Sequence, residues 1–244
     1  MTGSLVVNEI YLSLQGESTF AGLPCVFIRL TGCPLRCSYC DTVYAFTQGS
    51  RMATPAILAE VGRLAAPYHT AAGAGRMPLV ELTGGEPLAQ RGAAGLMEAL
   101  CNDGFTVLVE TGGSLDISQL DPRVRRIMDL KCPSSGEVGR NRWANLPHLR
   151  PTDEIKFVIG TREDYDWAVA RIAEHRLAQV CPLLFSWVHP PVSGTADPVL
   201  KPVPAGQTPI TRRELAELVI ADALPVRFQA QLHKVIWPPA QRGV

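Results

Sequence analysis

The chain has 244 residues, of which 46% are apolar, and its 23 basic and 23 acidic side chains give a formal net charge of zero. A chain of this length and composition can bury a sizeable core, so we expect a globular protein. The balanced charge provides no attraction to nucleic acid or to an anionic membrane, which favours a small-molecule substrate. We find neither a membrane-spanning run nor a secretory signal in residues 1–7, and we expect a cytoplasmic protein.

Apolar runs of strand length alternate with helix-length segments along the chain. The predicted strands are 25–30, 79–82, 105–110, 126–130, 155–159 and 182–187, and the predicted helices are 54–64, 91–102, 161–177 and 211–223. Repeated strand-to-helix order predicts a parallel sheet with helices packed outside it. Polar turns at 83–87 and 111–114 follow two of these strands, at the carboxyl ends where functional residues collect.

The ends of two helices carry capping signals. Thr54 is expected to be an N-cap, followed by Pro55 at the first helical position, and Thr211 and Glu214 have the spacing of a capping box. Two connections, the Gly/Ala-rich 66–78 and the proline-rich 188–209, are predicted to be surface excursions rather than domain boundaries. We therefore expect a single domain over residues 1–244, with an N-terminal cap segment at about 1–24.

Three of the seven cysteines fall within eight residues, whereas the other four are scattered singly. The clustered residues are Cys33, Cys37 and Cys40. The odd count argues against a disulfide framework. Three thiolates on one loop can face one metal centre, but they are one ligand short of a closed tetrahedral site.

Two kinds of metal centre are compatible with three cysteines. A structural zinc site would need a fourth ligand at a recognisable spacing, and the candidates His69, Cys101 and Cys132 stand alone. A [4Fe–4S] cluster normally takes four thiolates, so three suit a cluster with one iron open to a substrate or cofactor. The spacing favours the open cluster, and a zinc-binding interaction module without catalysis stays the alternative from a different class.

The CxxxCxxC arrangement from Cys33 to Cys40, with the aromatic Tyr39 before the last cysteine, resembles the signature of the radical S-adenosylmethionine (SAM) superfamily. The Gly-Gly-Glu-Pro run at 84–87 is similar to that superfamily's second motif. A glycine pair lets the backbone approach a ligand closely. The resemblance implies a [4Fe–4S] cluster on the three cysteines and SAM as a cofactor, whose methionine amino group bonds the backbone of this run.

Seven segments, in the same order along the chain, are similar to the 7-carboxy-7-deazaguanine synthase family. They are residues 9–17, 27–30, 40–42, 81–87, 110–113, 129–134 and 231–234. The resemblance implies a carbon–nitrogen lyase of queuosine biosynthesis. In this reaction 6-carboxy-5,6,7,8-tetrahydropterin undergoes radical ring contraction with loss of ammonia. It also implies an α/β fold of the radical SAM type, a partial (incomplete) TIM-like parallel β/α barrel.

The resemblance also implies which residues bind the two small molecules. The SAM-binding residues would be Tyr39, Gly84, Gly85, Glu86, Glu110, Ser114, Lys131 and Ser134. The substrate-binding residues would be Gln15, Glu17, Arg29, Thr83, Gln231, His233 and Lys234. The guanidinium of Arg29 suits the substrate carboxylate, and Gln15 and Glu17 can pair with ring nitrogens. Because the SAM-derived radical performs the chemistry, we expect no catalytic side chain beyond it.

Thr42 is a candidate Mg²⁺ ligand, because the family is associated with magnesium near the substrate carboxylate and a hydroxyl is a hard oxygen ligand. The equally weighted alternative is that Asp41 and Thr42 close the cysteine loop with local hydrogen bonds. From the family we also expect a homodimer and an electron donor such as a flavodoxin. Another radical SAM enzyme, particularly a glycyl-radical activating enzyme, is the main alternative function. The sequence leaves open whether the tail 237–244 folds over the active site.

Overall fold

The computed structural model describes residues 3–68, 76–189, 197–238 and 241–244. Its strands are β1 (Ser4–Leu14), β2 (Pro24–Leu30), β3 (Ser50–Ala53), β4 (Arg76–Gly84), β5 (Phe105–Thr111), β6 (Arg125–Asp129), β7 (Glu154–Ile159), β8 (Leu183–Trp187) and β9 (Arg227–Gln229). Its α-helices are α1 (Thr54–Ala65), α2 (Ala93–Asn102), α3 (Arg162–Glu174), α4 (Arg212–Ala221) and α5 (Leu232–Ile236). Within these residues no helix has the length and apolar character needed to cross a membrane.

In the described part of the chain, all nine strands form one sheet in the order β3-β1-β2-β4-β5-β6-β7-β8-β9. β1 pairs antiparallel with both β2 and β3, whereas the seven strands from β2 to β9 in that order are mutually parallel. Because the chain returns to the same edge after each parallel strand, the carboxyl ends of these strands lie together. The predicted α/β class with a parallel sheet is confirmed.

All six predicted strands are present, but the sequence analysis missed β1, β3 and β9. β1 spans residues 4–14, which the sequence analysis had included in an N-terminal cap. Its burial pattern shows little alternation, so its position depends on pairing with β2 and β3 rather than on a local apolar period. Of the described residues of the expected cap, Gly3 and residues 15–23 lie outside β1 and β2.

One of the two predicted helix caps is confirmed and the other is wrong. Thr54 does not cap α1, since the N-cap position is Ala53 and the Thr54 hydroxyl instead donates to the carbonyl of Gly3 at 3.1 Å. This bond anchors the start of α1 to the residue before β1. At α4 the predicted capping box between Thr211 and Glu214 is present with both of its bonds.

Three helices are shorter than predicted, and one of them is α4, which spans Arg212–Ala221 instead of 211–223. α2 begins at Ala93 because a 3₁₀ turn at 87–89 comes first and the Gln90 side chain bonds the backbone N–H and C=O of Val6. α3 ends at Glu174, and Arg176 adopts a positive φ of 50°, which stops the helix before the predicted end at 177.

Parts of both predicted excursions are described. Residues 76–78 of the first belong to β4, and 197–206 of the second contain neither helix nor strand, as expected for a proline-rich stretch. Residues 69–75, which include His69, and 190–196 lie outside the described residues.

The two faces of the sheet pack against different parts of the protein. One face packs against the helices and forms the large core, whereas the other carries a small second core. Because side chains alternate between faces, the residue two positions after each member of the small core points the same way. These pairs are Phe27 and Arg29, Leu79 and Glu81, Leu108 and Glu110, Ile127 and Asp129, and Leu184 and Ser186. The parallel register thus places a polar layer directly above an apolar one.

Candidate active site

The polar layer lines a cavity of about 460 Å³ at the carboxyl ends of the parallel strands. This volume is in the range of small-molecule and cofactor sites. One wall, the cysteine side, consists of residues 31–42 and 84–87. The opposite wall, the charged side, consists of Gln15, Glu17, Arg29, Glu81, Lys156 and residues 231–234.

The cysteine side begins directly after β2. Cys33, Cys37 and Cys40 are free thiols that line the cavity. Burial raises the pKa of the Cys37 thiol to about 11. The loop is held in shape by Arg36, whose Nη1 donates to the carbonyl oxygens of Cys33 and Leu35 at 2.7 and 2.6 Å. The three sulfurs are therefore presented by a loop with its own internal bonds.

The glycine pair at the end of β4 permits a very close approach to this loop. Gly84 has a φ of 143°, and a Cβ added to it would lie 2.2 Å from the carbonyl oxygen of Leu30. A Cβ on Gly85 would lie 2.4 Å from the carbonyl oxygen of Gly32. Any side chain at these positions would push the cysteine loop away.

Glu86 fixes the next turn. Its buried carboxylate accepts from the Thr111 hydroxyl at 2.9 Å, from the backbone N–H of Gly112 at 2.7 Å and from that of Leu88 at 3.1 Å. Burial raises the pKa of Glu86 despite these donors. Glu86 thus ties the end of β4 to the end of β5, and its bonds within the protein give it a positioning role.

Two charged residues lie at the carboxyl end of β6, on the floor of the cavity. The ammonium of Lys131 donates to Asp129 Oδ2 at 2.6 Å, and both residues line the cavity. Burial alone would lower the pKa of Lys131, but Asp129 and Cys37 raise it well above its usual value. Lys131 therefore stays charged next to the cysteine loop.

Ser134 and Ser114 are not among the described residues that line the cavity. The Ser134 hydroxyl donates to Asp164 Oδ2 at 2.5 Å, and its backbone N–H donates to Oδ1 at 2.7 Å. Ser134 also accepts, through its carbonyl oxygen, a bond of 2.6 Å from the Ser38 hydroxyl of the cysteine loop. In this conformation Ser134 links α3 to the loop, while the Ser114 Oγ is buried without a hydrogen-bond partner among the described residues.

On the charged side, Lys156 joins two carboxylates from distant parts of the chain. Its Nζ donates to Glu17 Oε2 at 2.7 Å and also to Glu110. Thr83 donates to the other oxygen of Glu110 at 3.2 Å. Burial alone would lower the pKa of Lys156, but Glu110 and Glu17 raise it well above its usual value.

Gln15 and Glu81 form a second contact on this wall. Gln15 Nε2 donates to Glu81, and Gln15 Oε1 accepts from the backbone N–H of Glu17 at 2.7 Å. Only 4% of Gln15 and 2% of Glu81 is exposed. Burial and the neighbouring carboxylate of Glu110 raise the pKa of Glu81 well above its usual value, which favours its neutral form.

Arg29 lies at the end of β2 with its guanidinium facing the cavity. Its Nε donates to Glu9 Oε1 at 2.7 Å and one Nη donates to the hydroxyl of Tyr11 at 3.0 Å. Burial by itself would lower the pKa of Arg29, but Tyr11, Tyr44 and Glu9 raise it. The guanidinium is thus charged, fixed in orientation and open to the cavity.

The segment 231–234 reaches the cavity from the C-terminal end of the chain. The backbone N–H of Leu232 donates to the carbonyl oxygen of Gly16 at 2.9 Å, and Lys234 Nζ forms an ion pair with Asp41. A Cβ added to Gly16 would lie 2.6 Å from His233 Nδ1, so Gly16 is needed for this contact. Burial lowers the pKa of His233, which keeps the imidazole neutral at pH 7.

The described end of the tail also lines the cavity. Residues 241–244 contribute to its wall, and the guanidinium of Arg242 lies 3.7 Å from the centre of the Tyr44 ring. Arg242 also donates to Gln48 Oε1 at 3.0 Å. Residues 241–244 therefore lie against the site, a point that the sequence left open.

Sequence reasoning missed five charged residues of the cavity, one of which is Arg242 in the tail. Asp41 was assigned only to the loop, and Glu81, Asp129 and Lys156 were given no role, although all four line the site. The available signal was a charge inside an apolar strand, as in the Glu154–Ile159 strand, where Lys156 is flanked by isoleucine and phenylalanine. A charge at such a position is buried, and buried charges concentrate at functional sites.

Comparisons with known proteins agree with this geometry. A family model described as the radical SAM superfamily matches residues 27–180. The chain is 43% identical over 243 residues to 7-carboxy-7-deazaguanine synthase of Chlorobaculum tepidum, covering 98% of this chain and 97% of the relative. It is 42% identical over 241 residues to the protein of that name from Koribacter versatilis, covering 98% and 99%. Among solved structures it resembles QueE from Escherichia coli, with a TM-score of 0.65, 23% identity and coverage of 94% and 95%.

The cysteine loop, the glycine pair and the parallel sheet therefore define a radical SAM enzyme, and the predicted partial barrel is confirmed by the likeness to the QueE structure. Within this superfamily the chain belongs to the 7-carboxy-7-deazaguanine synthase family.

Members of the superfamily bind a [4Fe–4S] cluster and SAM, and the cavity fits both groups. In a cluster each thiolate binds a different iron, so three free thiols spread along one loop suit it. The Tyr39 hydroxyl and Asp129 Oδ1 are buried beside this loop without hydrogen-bond partners among the described residues, as expected where a bound group completes the site. In the described parts of the chain no three His, Cys, Asp or Glu side chains converge on a single-ion site.

Proposed function

We propose that this chain converts 6-carboxy-5,6,7,8-tetrahydropterin to 7-carboxy-7-deazaguanine by radical ring contraction with loss of ammonia, as a lyase of queuosine biosynthesis. The observation that carries the proposal is one cavity with two chemically different walls, a cysteine loop facing a set of buried charged side chains. The near full-length likeness to two synthases of that name supports the same substrate.

Cys33, Cys37 and Cys40 would hold the cluster and leave one iron open to SAM. When bound, the cluster and SAM supply a 5′-deoxyadenosyl radical that takes hydrogen from C6 of the substrate. The chain itself orients the reactants and excludes water. The backbone at 84–86 would bind the methionine part of SAM, and the paired Asp129 and Lys131 would border its ribose and carboxylate.

The rest of the proposed SAM set comprises Tyr39, Glu110, Ser114 and Ser134. Tyr39 and Glu110 line the cavity, which supports direct contact. Ser114 and Ser134 would need a small rearrangement to reach SAM, since they lie behind the lining residues. The overall reaction must be redox neutral, because substrate and product differ only by ammonia.

The charged side would bind the substrate. Arg29 offers its guanidinium to the carboxylate on C6, where a charge-assisted bond is stronger than a neutral one. Gln15 and Glu17 would bind the pyrimidine edge. Thr83 would be a further contact, and its hydroxyl donates to Glu110. The remaining proposed substrate contacts are Gln231, His233 and Lys234, all of which line the cavity.

We also propose that the Thr42 hydroxyl would help to hold Mg²⁺, whose charge would neutralise the substrate carboxylate. Thr42 lines the cavity. Because the neighbouring Asp41 is paired with Lys234, the Thr42 hydroxyl is the adjacent oxygen left to face the cavity. Its contact with Cys40, a separation of 3.7 Å between Oγ1 and Sγ, supports the alternative local role. Thr42→Val separates the two, since loss of a ligand abolishes the magnesium response of the rate and loss of a local bond leaves it.

A homodimer and an electron donor such as a flavodoxin are further proposals that rest on the family alone. Sedimentation of the cluster-loaded protein tests the first. Turnover with reduced flavodoxin in place of dithionite tests the second.

The function itself is tested by anaerobic incubation of the reconstituted protein with dithionite, SAM, Mg²⁺ and 6-carboxy-5,6,7,8-tetrahydropterin, followed by mass spectrometry. We expect 7-carboxy-7-deazaguanine and an equal amount of ammonia. Formation of 5′-deoxyadenosine alone would show a radical SAM enzyme with another substrate, such as a glycyl-radical activating enzyme. A colourless, zinc-loaded protein that ignores SAM would show the non-catalytic alternative.

A further inference from the structure

Two buried charged side chains on the charged side have no part in the proposed substrate contacts. They are Glu81 on β4 and Lys156 on β7, and only 2% and 4% of these residues are exposed. A buried charge is costly unless it is paired, and replacing such a pair by apolar residues is often neutral or stabilising. Stability alone therefore does not explain why Glu81 and Lys156 are present, whereas their hydrogen bonds point to a reason.

Lys156 holds the carboxylate of Glu17. The bond of 2.7 Å joins residues that are 139 positions apart, so it connects the loop after β1 to the sheet. A second bond from the same Nζ goes to Glu110, which itself belongs to β5. With two of its donors engaged on different elements, the ammonium fixes where the Glu17 carboxylate points.

Glu81 holds the amide of Gln15. It accepts from Gln15 Nε2, while Gln15 Oε1 accepts from the backbone N–H of Glu17. Both ends of the amide are thus engaged, and its orientation is fixed. An amide nitrogen carries two N–H groups, so one is used by Glu81 and the second is offered to a ligand.

We propose that Lys156 and Glu81 are positioning residues that set the Glu17 carboxylate and the Gln15 amide to recognise the 2-amino-4-oxo edge of the pterin. This proposal rests on the proposed function. The edge presents an amino group and a ring N–H as donors beside a carbonyl acceptor. A carboxylate beside an amide N–H is its complement, whereas a 2,4-dioxo edge would place an oxygen against the carboxylate.

The charges of the network agree with this role. Three carboxyl groups, those of Glu17, Glu81 and Glu110, lie close to the ammonium of Lys156. The raised pKa of Glu81 keeps that group neutral, so the ammonium is shared by the other two. A neutral carboxyl still accepts from Gln15 through its carbonyl oxygen, which means that a carboxamide can replace it.

The test uses the cluster-loaded enzyme with SAM and two probes that lack the C6 hydrogen, 6-carboxypterin and its 2-oxo analogue 6-carboxylumazine. Lys156→Met should weaken binding of 6-carboxypterin about tenfold or more and reduce the preference over 6-carboxylumazine by a similar factor. Turnover should show a rise in KM that exceeds the fall in kcat. Arg213→Met, which removes a cation from the exposed surface of α4, should change none of these values.

Three further variants separate positioning from a general structural role. In a Glu17→Gln background, Lys156→Met should have little additional effect on the affinity for 6-carboxypterin, because Lys156 acts through Glu17. Glu81→Gln should keep the wild-type affinity and Glu81→Leu should lose it. If Lys156→Met does not fold, Lys156→Gln, which keeps an N–H donor, takes its place in the same cycle.

Failure of this proposal is distinguishable from failure of the proposed function. If the wild-type enzyme cleaves SAM but neither binds 6-carboxypterin nor makes 7-carboxy-7-deazaguanine, the function is wrong. If the wild-type enzyme does both, and the Lys156 variants retain its affinity and its preference, the positioning role is wrong. Fully additive effects of Glu17→Gln and Lys156→Met would also overturn it.

Discussion

The cysteine side and the charged side of the cavity are built by different means. The cysteine side consists of two short contiguous segments, 31–42 and 84–87, whose backbones touch through glycine. Within the charged side the contacts join residues that are 66 and 139 positions apart. Lys234 of this side is also paired with Asp41 of the cysteine side, 193 positions away. The cysteine side therefore depends on local backbone conformation, whereas the charged side depends on which strands are neighbours in the sheet. A change in one wall should therefore leave the function of the other wall intact.

The largest effect is expected from Cys37→Ala. Removal of one of three thiolates should abolish the cluster absorbance and all SAM cleavage, because the loop offers no replacement ligand nearby. Absorbance and 5′-deoxyadenosine formation after anaerobic reconstitution measure both. Cys101→Ala is the matched control, since Cys101 lies at the end of α2 among core residues, and it should keep the cluster. A brown Cys37→Ala protein would refute the ligand assignment.

Gly85→Ala should come next. The added methyl would lie 2.4 Å from the carbonyl oxygen of Gly32 and 2.8 Å from Cys33 Cβ, so the loop must move. Such overpacking costs roughly 1–3 kcal/mol, and we expect SAM cleavage to fall at least tenfold. Gly62→Ala is the control, because a Cβ there meets nothing within 4 Å. Equal activity of the two variants would contradict the close approach.

These two walls also differ in how far the sequence predicts them. On the cysteine side, Cys33, Cys37, Cys40 and the glycine pair were named from the sequence, and all of them line the cavity. They could be named because they lie in two short segments and carry recognisable motifs. The parallel sheet was predicted as well, since most residues of the central strands are apolar. β1 was missed, because its residues become a strand only by pairing with two neighbours.

The charged side was predicted only in part. Gln15, Glu17 and Arg29 were named from family resemblance, but their partners Glu81 and Lys156 were not. Partners depend on the register of the sheet, for example the alignment of Phe27 with Glu81, and register over such separations is not contained in local sequence. The tail is similar, because the contact between Arg242 and the Tyr44 ring follows from the fold of the whole chain.

Arg29→Ala should affect the charged side alone. Loss of a charge-assisted bond to the substrate carboxylate is worth about 1.5–3 kcal/mol, or roughly 10- to 100-fold in KM. Cluster content and SAM cleavage without substrate should be unchanged. Arg63→Ala, on the exposed face of α1, is the control. Wild-type turnover of Arg29→Ala at low substrate concentration would show that Arg29 is not the carboxylate ligand.

The smallest effect concerns the stability of the folded enzyme as a function of pH. Because the pKa of Glu81 is raised by burial, the folded state keeps a proton that the unfolded state releases near pH 4.3. Above that pH the free energy of unfolding therefore falls as pH rises, by at most about 1.4 kcal/mol per unit, until the pKa in the folded state is passed.

Glu81→Gln removes this contribution, so its stability should depend less on pH between 5 and 8 than that of the wild-type enzyme. Chemical unfolding at several pH values measures the slope. Glu60→Gln should leave the slope nearly unchanged. The range lies above the ordinary pKa of a glutamate in the unfolded state, and the bond from Arg63 lowers the pKa of Glu60 in the folded state. A Glu81→Gln slope equal to that of the wild type would mean that Glu81 is ionised in the folded protein.

Whether the two walls together place substrate C6 against the SAM-derived radical is tested most directly with substrate that carries deuterium at C6. Since the reaction is redox neutral, the label can be recovered in the 5′ position of SAM as well as in 5′-deoxyadenosine, and mass spectrometry of both is the measurement. We expect deuterium in the adenosyl group whenever 7-carboxy-7-deazaguanine is formed. Formation of that product with an unlabelled adenosyl group would show that the cavity does not place C6 against the SAM-derived radical.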